Sequence, residues 1–110
     1  MTEAANGFGR ALVAEFIGTF ALIFIGAGAA IALGVNHDRP VAFAHGLTIL
    51  VFIAAFGDIS GGHFNPAVTT GLAAAGVFPS RRVVPYMIAQ LAGAIVAAWL
   101  LSLALRRPGQ

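Results

Sequence analysis

Three apolar segments constrain the fold of this chain more than any other feature. They cover about residues 11–35, 41–59 and 83–105 of the 110 residues. Each is long enough to cross a bilayer, whose hydrocarbon core takes about 20 helical residues. Only 9% of the residues are charged, against about 25% in soluble domains. Lipid is therefore the predicted solvent, and we interpret residues 1–110 as one all-α integral membrane unit.

Composition argues against several other classes of protein. The chain has no cysteine, which excludes disulfides and thiolate chemistry. Its arginines lie at segment ends and form no basic stripe, so no nucleic-acid partner is expected. The histidines lack carboxylate or histidine partners at ligand spacing, so no metal site is predicted. No nucleophile–base pair, carboxylate dyad or phosphate loop is present, so we expect neither an enzyme nor a cofactor.

Residues 60–76, between the second and third apolar segments, carry the signals of irregular backbone followed by a short helix. Gly61 and Gly62 allow conformations that other residues resist. Asn65 is a favoured N-cap and Pro66 a favoured first helical residue, so a helix is predicted to begin there and to end near Gly76. About ten residues form about 15 Å of helix, half of the hydrocarbon thickness. The segment is therefore predicted to enter the membrane and stop half-way.

A half-length helix at membrane depth has chemical consequences. Non-helical backbone there must be buried in protein or line a water-filled cavity. The backbone carbonyls of this stretch would offer a row of hydrogen-bond acceptors to such a cavity. They belong to Gly61, Gly62, His63 and Phe64. The helix start would add the positive end of its dipole, and Asn65 would add amide N–H donors. These groups would orient a passing water molecule and disfavour a cation.

Two polar side chains within the apolar segments need partners. Glu15 lies beside a face of small residues on the first segment, which we expect to point into the bundle because small residues allow close helix packing. A carboxylate inside a span costs about 2.5 to 3.5 kcal/mol, so Glu15 should face protein. The alternative is that its side chain reaches the interface near Arg10. The second of these polar side chains, Gln90, lies within the third segment. The face of small residues on the first segment comprises Ala11, Ala14, Gly18 and Ala21.

Three motifs resemble those of a known family. SGGHFNPAVT at residues 60–69 is similar to the first signature motif of the aquaporin, or major intrinsic protein, family. AEFIGTF at 14–20 resembles its first-helix motif, and AQLAGA at 89–94 its third-helix motif. The motifs follow the family's order and spacing over almost the whole chain. The resemblance implies two inverted repeats, of which this chain carries one: three transmembrane helices plus one re-entrant half-helix.

The resemblance also implies roles for individual residues. Asn65, Pro66 and Ala67 match the motif whose two copies meet at the centre of the family's pore. Glu15 matches the glutamate that supports the backbone of the re-entrant loop. Gln90 is expected to support the same loop, with a simple interhelical amide as the alternative.

The resemblance further implies a constriction at the mouth of the pore. His45, twenty residues before Asn65, matches a position of the family's outer constriction; the alternative is an interfacial histidine. His63 is expected to contribute its carbonyl, with its ring outside the pore. If two copies pair, a valine would replace the family's arginine, and such a mouth would pass ammonia or urea as well as water. By family spacing, the second copy would contribute its Ile53, Gly62 and Val68 to the mouth that contains His45.

The family's second repeat has no counterpart after the third segment, and three explanations remain open. The chain is expected to be the amino-terminal portion of a longer aquaporin, a half-channel that pairs with an inverted copy of itself, or a non-conducting membrane subunit or relic that only binds a partner protein. The distribution of arginines permits insertion in both directions. Arg10, Arg81 and Arg82 belong to one side, and Arg39, Arg106 and Arg107 to the other.

The expected function is therefore half of a channel for passive passage of water and small neutral solutes such as glycerol, urea or ammonia. A second repeat or an inverted copy would complete it, and an assembly like the family's tetramer is compatible with it. The expected location is a prokaryotic inner or plasma membrane, in contact with lipid.

Overall fold

The computed structural model describes residues 3–106, with side chains from residue 7 onward, and this part of the chain is helical without strands. Helix α1 (Glu3–Ala21) continues through a π-helical turn (Leu22–Ala27) into α2 (Gly28–Leu33). Helix α3 covers Asp38–Ser60 and α4 covers Pro66–Ala74. A short 3₁₀ turn (Ser80–Arg82) leads into α5 (Val83–Ala104).

Three helical stretches are long and apolar enough to cross a membrane. They are Gly7–Leu33, Asp38–Ser60 and Ser80–Ala104, with mean hydropathies of 2.3, 1.9 and 2.0. A span needs about 20 apolar residues, and these stretches have 27, 23 and 25 residues. The predicted all-α membrane fold with three spanning helices is therefore confirmed.

Close backbone contact between α1 and α5 forms the centre of the bundle. A Cβ atom on Gly93 would clash with the carbonyl oxygen of Phe16 and lie 3.1 Å from the amide nitrogen of Phe20. Ala97, four residues after Gly93 on α5, is completely buried. Small residues allow this approach, because lipid supplies no hydrophobic force that would drive the helices together. The four residues of the predicted small-residue face are all buried: Ala11, Ala14, Gly18 and Ala21.

Helix α3 packs less tightly and is the least buried of the three spans. Thr48 is buried, while Phe43 and Leu50 are exposed. A surface this apolar requires lipid or another protein chain as its neighbour.

The segment between α3 and α4 reverses direction through left-handed backbone. Gly61 and Gly62 have φ angles of 92° and 66°, and Phe64 has a φ of 54° although it is not glycine. The Phe64 ring lies directly on Gly18 of α1, where any Cβ atom would overlap it. Packing against α1 therefore holds a backbone conformation that a bulky residue rarely adopts.

Helix α4 is short and packs against α5. Its nine residues correspond to about 14 Å of helix, less than half of a typical hydrocarbon core. Asn65 adopts extended backbone and caps the first turn, and Pro66 occupies the first helical position. The helix ends at Ala74, and Gly76, with a φ of 79°, begins the following turn.

Replacing Gly93 by alanine should destabilise the bundle, because the added methyl would meet backbone atoms that cannot rotate away. We expect the free energy of unfolding to fall by about 1 to 3 kcal/mol. Thermal unfolding of the purified protein in detergent measures the change. Gly71→Ala is the matched control, since nothing lies within 4 Å of a Cβ atom at Gly71. Equal melting temperatures for the two variants would contradict the proposed backbone contact.

Candidate functional site

The side chain of Glu15 is fully buried and connects four parts of the chain. Its Oε2 atom accepts hydrogen bonds from the Ser60 hydroxyl at 2.6 Å and from the His63 backbone N–H at 3.2 Å. Its Oε1 atom accepts from the Phe64 backbone N–H and from Gln90 Nε2, each at 2.8 Å. One carboxylate thus joins α1, the end of α3, the loop and α5.

Neutral donors surround this carboxylate. Hydrogen bonds to a carboxylate are roughly twice as strong as those between neutral groups, so four of them offset much of the cost of burying the charge. The N–H groups of His63 and Phe64 lie beyond the end of α3 and have no helical partner. Buried backbone N–H groups need partners, and Glu15 supplies them. This geometry excludes the alternative in which Glu15 reaches the membrane interface.

Thr69 of α4 is a second centre of hydrogen bonds. It is fully buried, and its hydroxyl oxygen accepts from Gln90 Nε2 at 2.8 Å. The same oxygen lies 2.8 Å from His63 Nδ1 and 3.3 Å from the Asn65 carbonyl oxygen. The hydroxyl has one hydrogen, so it donates either to His63 Nδ1 or to the Asn65 carbonyl. Thr69 therefore fastens the half-helix to α5 and to the loop that precedes it.

The Gln90 amide has a defined orientation. Its Nε2 atom donates to both Glu15 Oε1 and Thr69 Oγ1. The flipped amide would place an oxygen against the carboxylate, which is repulsive. Gln90 is thus an interhelical amide that also contacts the residues holding the loop.

An aromatic cluster surrounds the His63 ring. Its centroid lies 4.7 Å from that of Phe78 and 5.0 Å from that of Tyr86. The rings of Phe78 and Tyr86 are themselves 4.7 Å apart. Tyr86 also donates from its hydroxyl to the carbonyl oxygen of Ser60 at 2.7 Å. The histidine ring is therefore packed within the protein, 8% exposed.

The tip of the half-helix is open. Asn65 is exposed, and its Oδ1 atom accepts from the Ala67 N–H at 2.8 Å. Its Nδ2 atom makes no hydrogen bond within residues 3–106, so its N–H donors are available to a ligand. Ala67 and Val68 are also exposed, while Pro66 is half-buried.

Four loop carbonyls likewise accept no hydrogen bond from the part of the chain that the structure describes. They belong to Gly61, Gly62, His63 and Phe64. Gly61 is exposed, and the other three residues are buried as whole residues.

The candidate constriction residues lie away from the hydrogen bonds around Glu15. His45 is half-buried, and its Nδ1 atom lies 2.8 Å from the carbonyl oxygen of Val41. Ile53, about two turns later on α3, borders the loop, since a Cβ atom on Gly62 would lie 3.1 Å from Ile53 Cγ1. Val68 is 43% exposed on α4. Within the described residues, no group of His, Asp or Glu side chains could hold a metal ion.

Sequence reasoning missed the parts played by Thr69 and Tyr86. Thr69 follows the N-cap by four residues, which places it one helical turn later, above Asn65. That spacing could have indicated a bond to the Asn65 carbonyl. No local pattern indicates the bond of Tyr86, because its partner lies 26 residues earlier.

Replacing Glu15 by glutamine should loosen the loop. One carboxylate oxygen becomes an NH₂ group that faces donors, so a buried donor loses its partner at a cost of about 1 to 3 kcal/mol. We expect faster hydrogen exchange across residues 60–65, measured by mass spectrometry in detergent. Asp58→Asn is the control, because Asp58 is an exposed carboxylate near the end of α3. Unchanged exchange in the Glu15 variant would contradict this account of the loop.

Adjacent threonines on α4 provide a second test. Thr69→Val removes the shared oxygen and should lower the free energy of unfolding by about 1 to 3 kcal/mol. Thr70 is exposed and bonds only the Pro66 carbonyl in its own helix. Thr70→Val should therefore change stability by no more than about 0.5 kcal/mol. The free energy of unfolding is measured by chemical unfolding. Equal losses in the two variants would argue against Thr69 as a centre of hydrogen bonds.

Comparisons with known proteins agree with this architecture. The model of the family described as Major intrinsic protein matches residues 3–109. The chain is 51% identical over 96 residues to a protein named Aquaporin Z from Brucella melitensis biotype 1, covering 82% of this chain and 42% of the relative. It is 47% identical over 97 residues to an Aquaporin Z from Photorhabdus laumondii subsp. laumondii, covering 84% and 42%.

The chain thus spans about two-fifths of the length of the curated relatives it matches. The family match extends over nearly all of its residues and includes all three membrane-spanning helices. The identity to each relative is high enough to indicate a shared fold over the matched part. This chain is a multi-pass membrane protein that belongs to the major intrinsic protein family.

Proposed function

We propose that this chain forms one half of a transmembrane channel for passive passage of water and small neutral solutes. The observation that carries the proposal is the tip of α4, where the exposed Asn65 has N–H donors, and the preceding loop has carbonyls, that make no hydrogen bond within residues 3–106. Buried hydrogen bonds from Glu15 and Thr69 hold this tip in place. The names of the relatives, Aquaporin Z, support the same class of solute.

The proposed selectivity follows from the placement of donors and acceptors. The Nδ2 group of Asn65 donates to the oxygen of a water molecule, while loop carbonyls accept from its hydrogens. The water is then oriented by groups that are already in place. A cation arriving at the same point meets the positive end of α4 and an amide donor, which disfavours it. In this proposal the side chains of His45 and Val68 lie on either side of the solute's path and narrow it.

The second half of the channel is part of the proposal. Polar groups left unpaired in hydrocarbon cost several kcal/mol each, so protein or water must cover the open tip. More than half of each relative's length lies outside the match. A second repeat of similar size, continuous with this chain or supplied separately, would complete the pore.

An inverted copy of this chain is the other candidate for the second half. Arg10 lies near the start of α1, and Arg81 and Arg82 lie in the turn before α5, at one end of the bundle, while Arg39 and Arg106 lie at the other. With Arg107 added from the sequence to the second end, three arginines at each end give no preferred orientation under the positive-inside rule. Arg107, which also entered the predicted balance, lies outside the described residues.

Asn65→Asp tests the proposed role of the amide. Aspartate keeps the oxygen that caps α4 but replaces the donor by an acceptor and adds negative charge. We expect osmotic water flux into liposomes containing the purified chain to fall severalfold, measured by stopped-flow light scattering. The control is Ser102→Ala, an exposed residue whose hydroxyl bonds only within α5.

The outcomes of this experiment separate the candidates for the second half. Flux above that of empty liposomes, reduced severalfold by Asn65→Asp, supports self-completion by an inverted copy. No flux, with insertion verified, excludes self-completion. Adding a complementary second repeat then distinguishes half of a larger channel, which gains flux, from a non-conducting subunit, which does not.

A further inference from the structure

We propose that Gly26 is the positioning residue for the His45 ring and thereby sets the width of the conduit at that level. Gly26 belongs to the π-helical turn of the first span, and His45 belongs to α3. This inference rests on the proposed function only for its effect on permeation. The position of the ring can be tested separately.

Two contacts on opposite sides fix the ring. On one side, the Val41 carbonyl lies 2.8 Å from Nδ1. On the other side is the bare backbone of Gly26, where a Cβ atom would lie 2.5 Å from Nε2, 2.6 Å from Cδ2 and 2.8 Å from Cε1. The edge of the imidazole therefore occupies the space that any side chain at position 26 would need.

Gly26 and Gly28 lie two residues apart in the first span and face different neighbouring helices. Two residues correspond to about 200° around a helix of 3.6 residues per turn. Gly26 is buried within the turn and faces His45. Gly28, directly after it, faces α5, where a Cβ atom would lie 3.0 Å from Leu101 Cδ2. Gly26 in the turn and Gly28 at the start of α2 thus face α3 and α5, respectively.

The hydrogen-bonding state of the ring is defined on one side only. The Val41 carbonyl can only accept, so Nδ1 of His45 carries the hydrogen. The other ring nitrogen, Nε2, lies against the backbone of Gly26 and has no hydrogen-bond partner within residues 3–106. Gly26 therefore provides the space for the ring edge that carries Nε2.

A methyl group at position 26 should displace the ring. Ordinary contact between heavy atoms requires about 3.5 Å, so Nε2 must move by about 1 Å from its present place. The backbone of Gly26 blocks movement on its own side, so the ring moves away from the π-helical turn. A narrower path should reduce the passage of a large neutral solute such as urea more than that of water.

The test uses the full chain with Gly26→Ala and a matched control, Gly46→Ala. Gly46 is adjacent to His45 in sequence, but nothing lies within 4 Å of a Cβ atom placed there. The first readout is the ¹⁵N spectrum of the labelled histidine rings in detergent micelles, with the His45 signals assigned by His45→Ala. The second is water and urea flux in liposomes. We expect Gly26→Ala to shift the His45 ring signals and reduce flux severalfold, and Gly46→Ala to do neither.

The two readouts separate this inference from the proposed function. Absence of flux in the unmodified chain, even with a second repeat supplied, contradicts the channel but leaves the ring signals as a valid test. Unshifted His45 signals in Gly26→Ala overturn the inference whatever the flux. If Gly26→Ala shifts the His45 signals but leaves the water and urea flux unchanged, the claim that Gly26 sets the width of the conduit is wrong.

A double variant covers the case in which Gly26→Ala fails to fold. His45→Ala removes the ring and makes room for the new methyl, so Gly26→Ala in that background should recover the melting temperature of His45→Ala alone. Failure to recover would mean that Gly26 is needed for a reason other than the ring, and the inference would be wrong.

Discussion

The structure depends on one buried anion. The carboxylate of Glu15 receives four hydrogen bonds, two from backbone N–H groups of the loop and two from side chains of α3 and α5. In hydrocarbon no water competes for these donors, and an uncompensated carboxylate would be costly. Each element that donates to Glu15 is therefore held against α1. The loop and the half-helix keep their place because the alternative is an unpaired charge.

That anion can be buried only because the helices approach closely. Gly93 lets the backbone of α5 touch that of α1, which brings Gln90 within reach of Glu15. Gly18 provides the seat for the Phe64 ring, and the N–H of Phe64 donates to the same carboxylate. Small residues and the buried charge thus depend on each other. The glycines create the space, and the hydrogen bonds supply the directional attraction that apolar packing in lipid lacks.

Much of this architecture follows from local sequence signals, and the rest depends on contacts distant in sequence. Long apolar segments predict the three spans, and the Asn65–Pro66 pair predicts the start of α4 because capping acts over a few residues. The need of Glu15 for protein partners also follows from the cost of charge in lipid. The partners themselves follow from no local pattern, since Ser60 and Gln90 lie 45 and 75 residues later in the chain. Thr69 and Tyr86, which bond Gln90 and Ser60, likewise act through tertiary contacts. The π-helical turn is likewise hidden, because its apolar sequence LIFIGA fits a regular α-helix equally well.

Because residue 15 is an acid, it also determines the direction in which the loop carbonyls point. A carboxylate can only accept hydrogen bonds, so it binds the N–H side of a peptide group. In a planar trans peptide the N–H and C=O bonds point in opposite directions. Anchoring the N–H groups of His63 and Phe64 therefore directs the carbonyls of Gly62 and His63 away from Glu15. A hydrogen-bond donor at position 15 would instead bind these carbonyls and turn the N–H groups away. The Glu15 carboxylate thus both holds the loop and leaves its carbonyl acceptors on the side of the loop that faces away from Glu15.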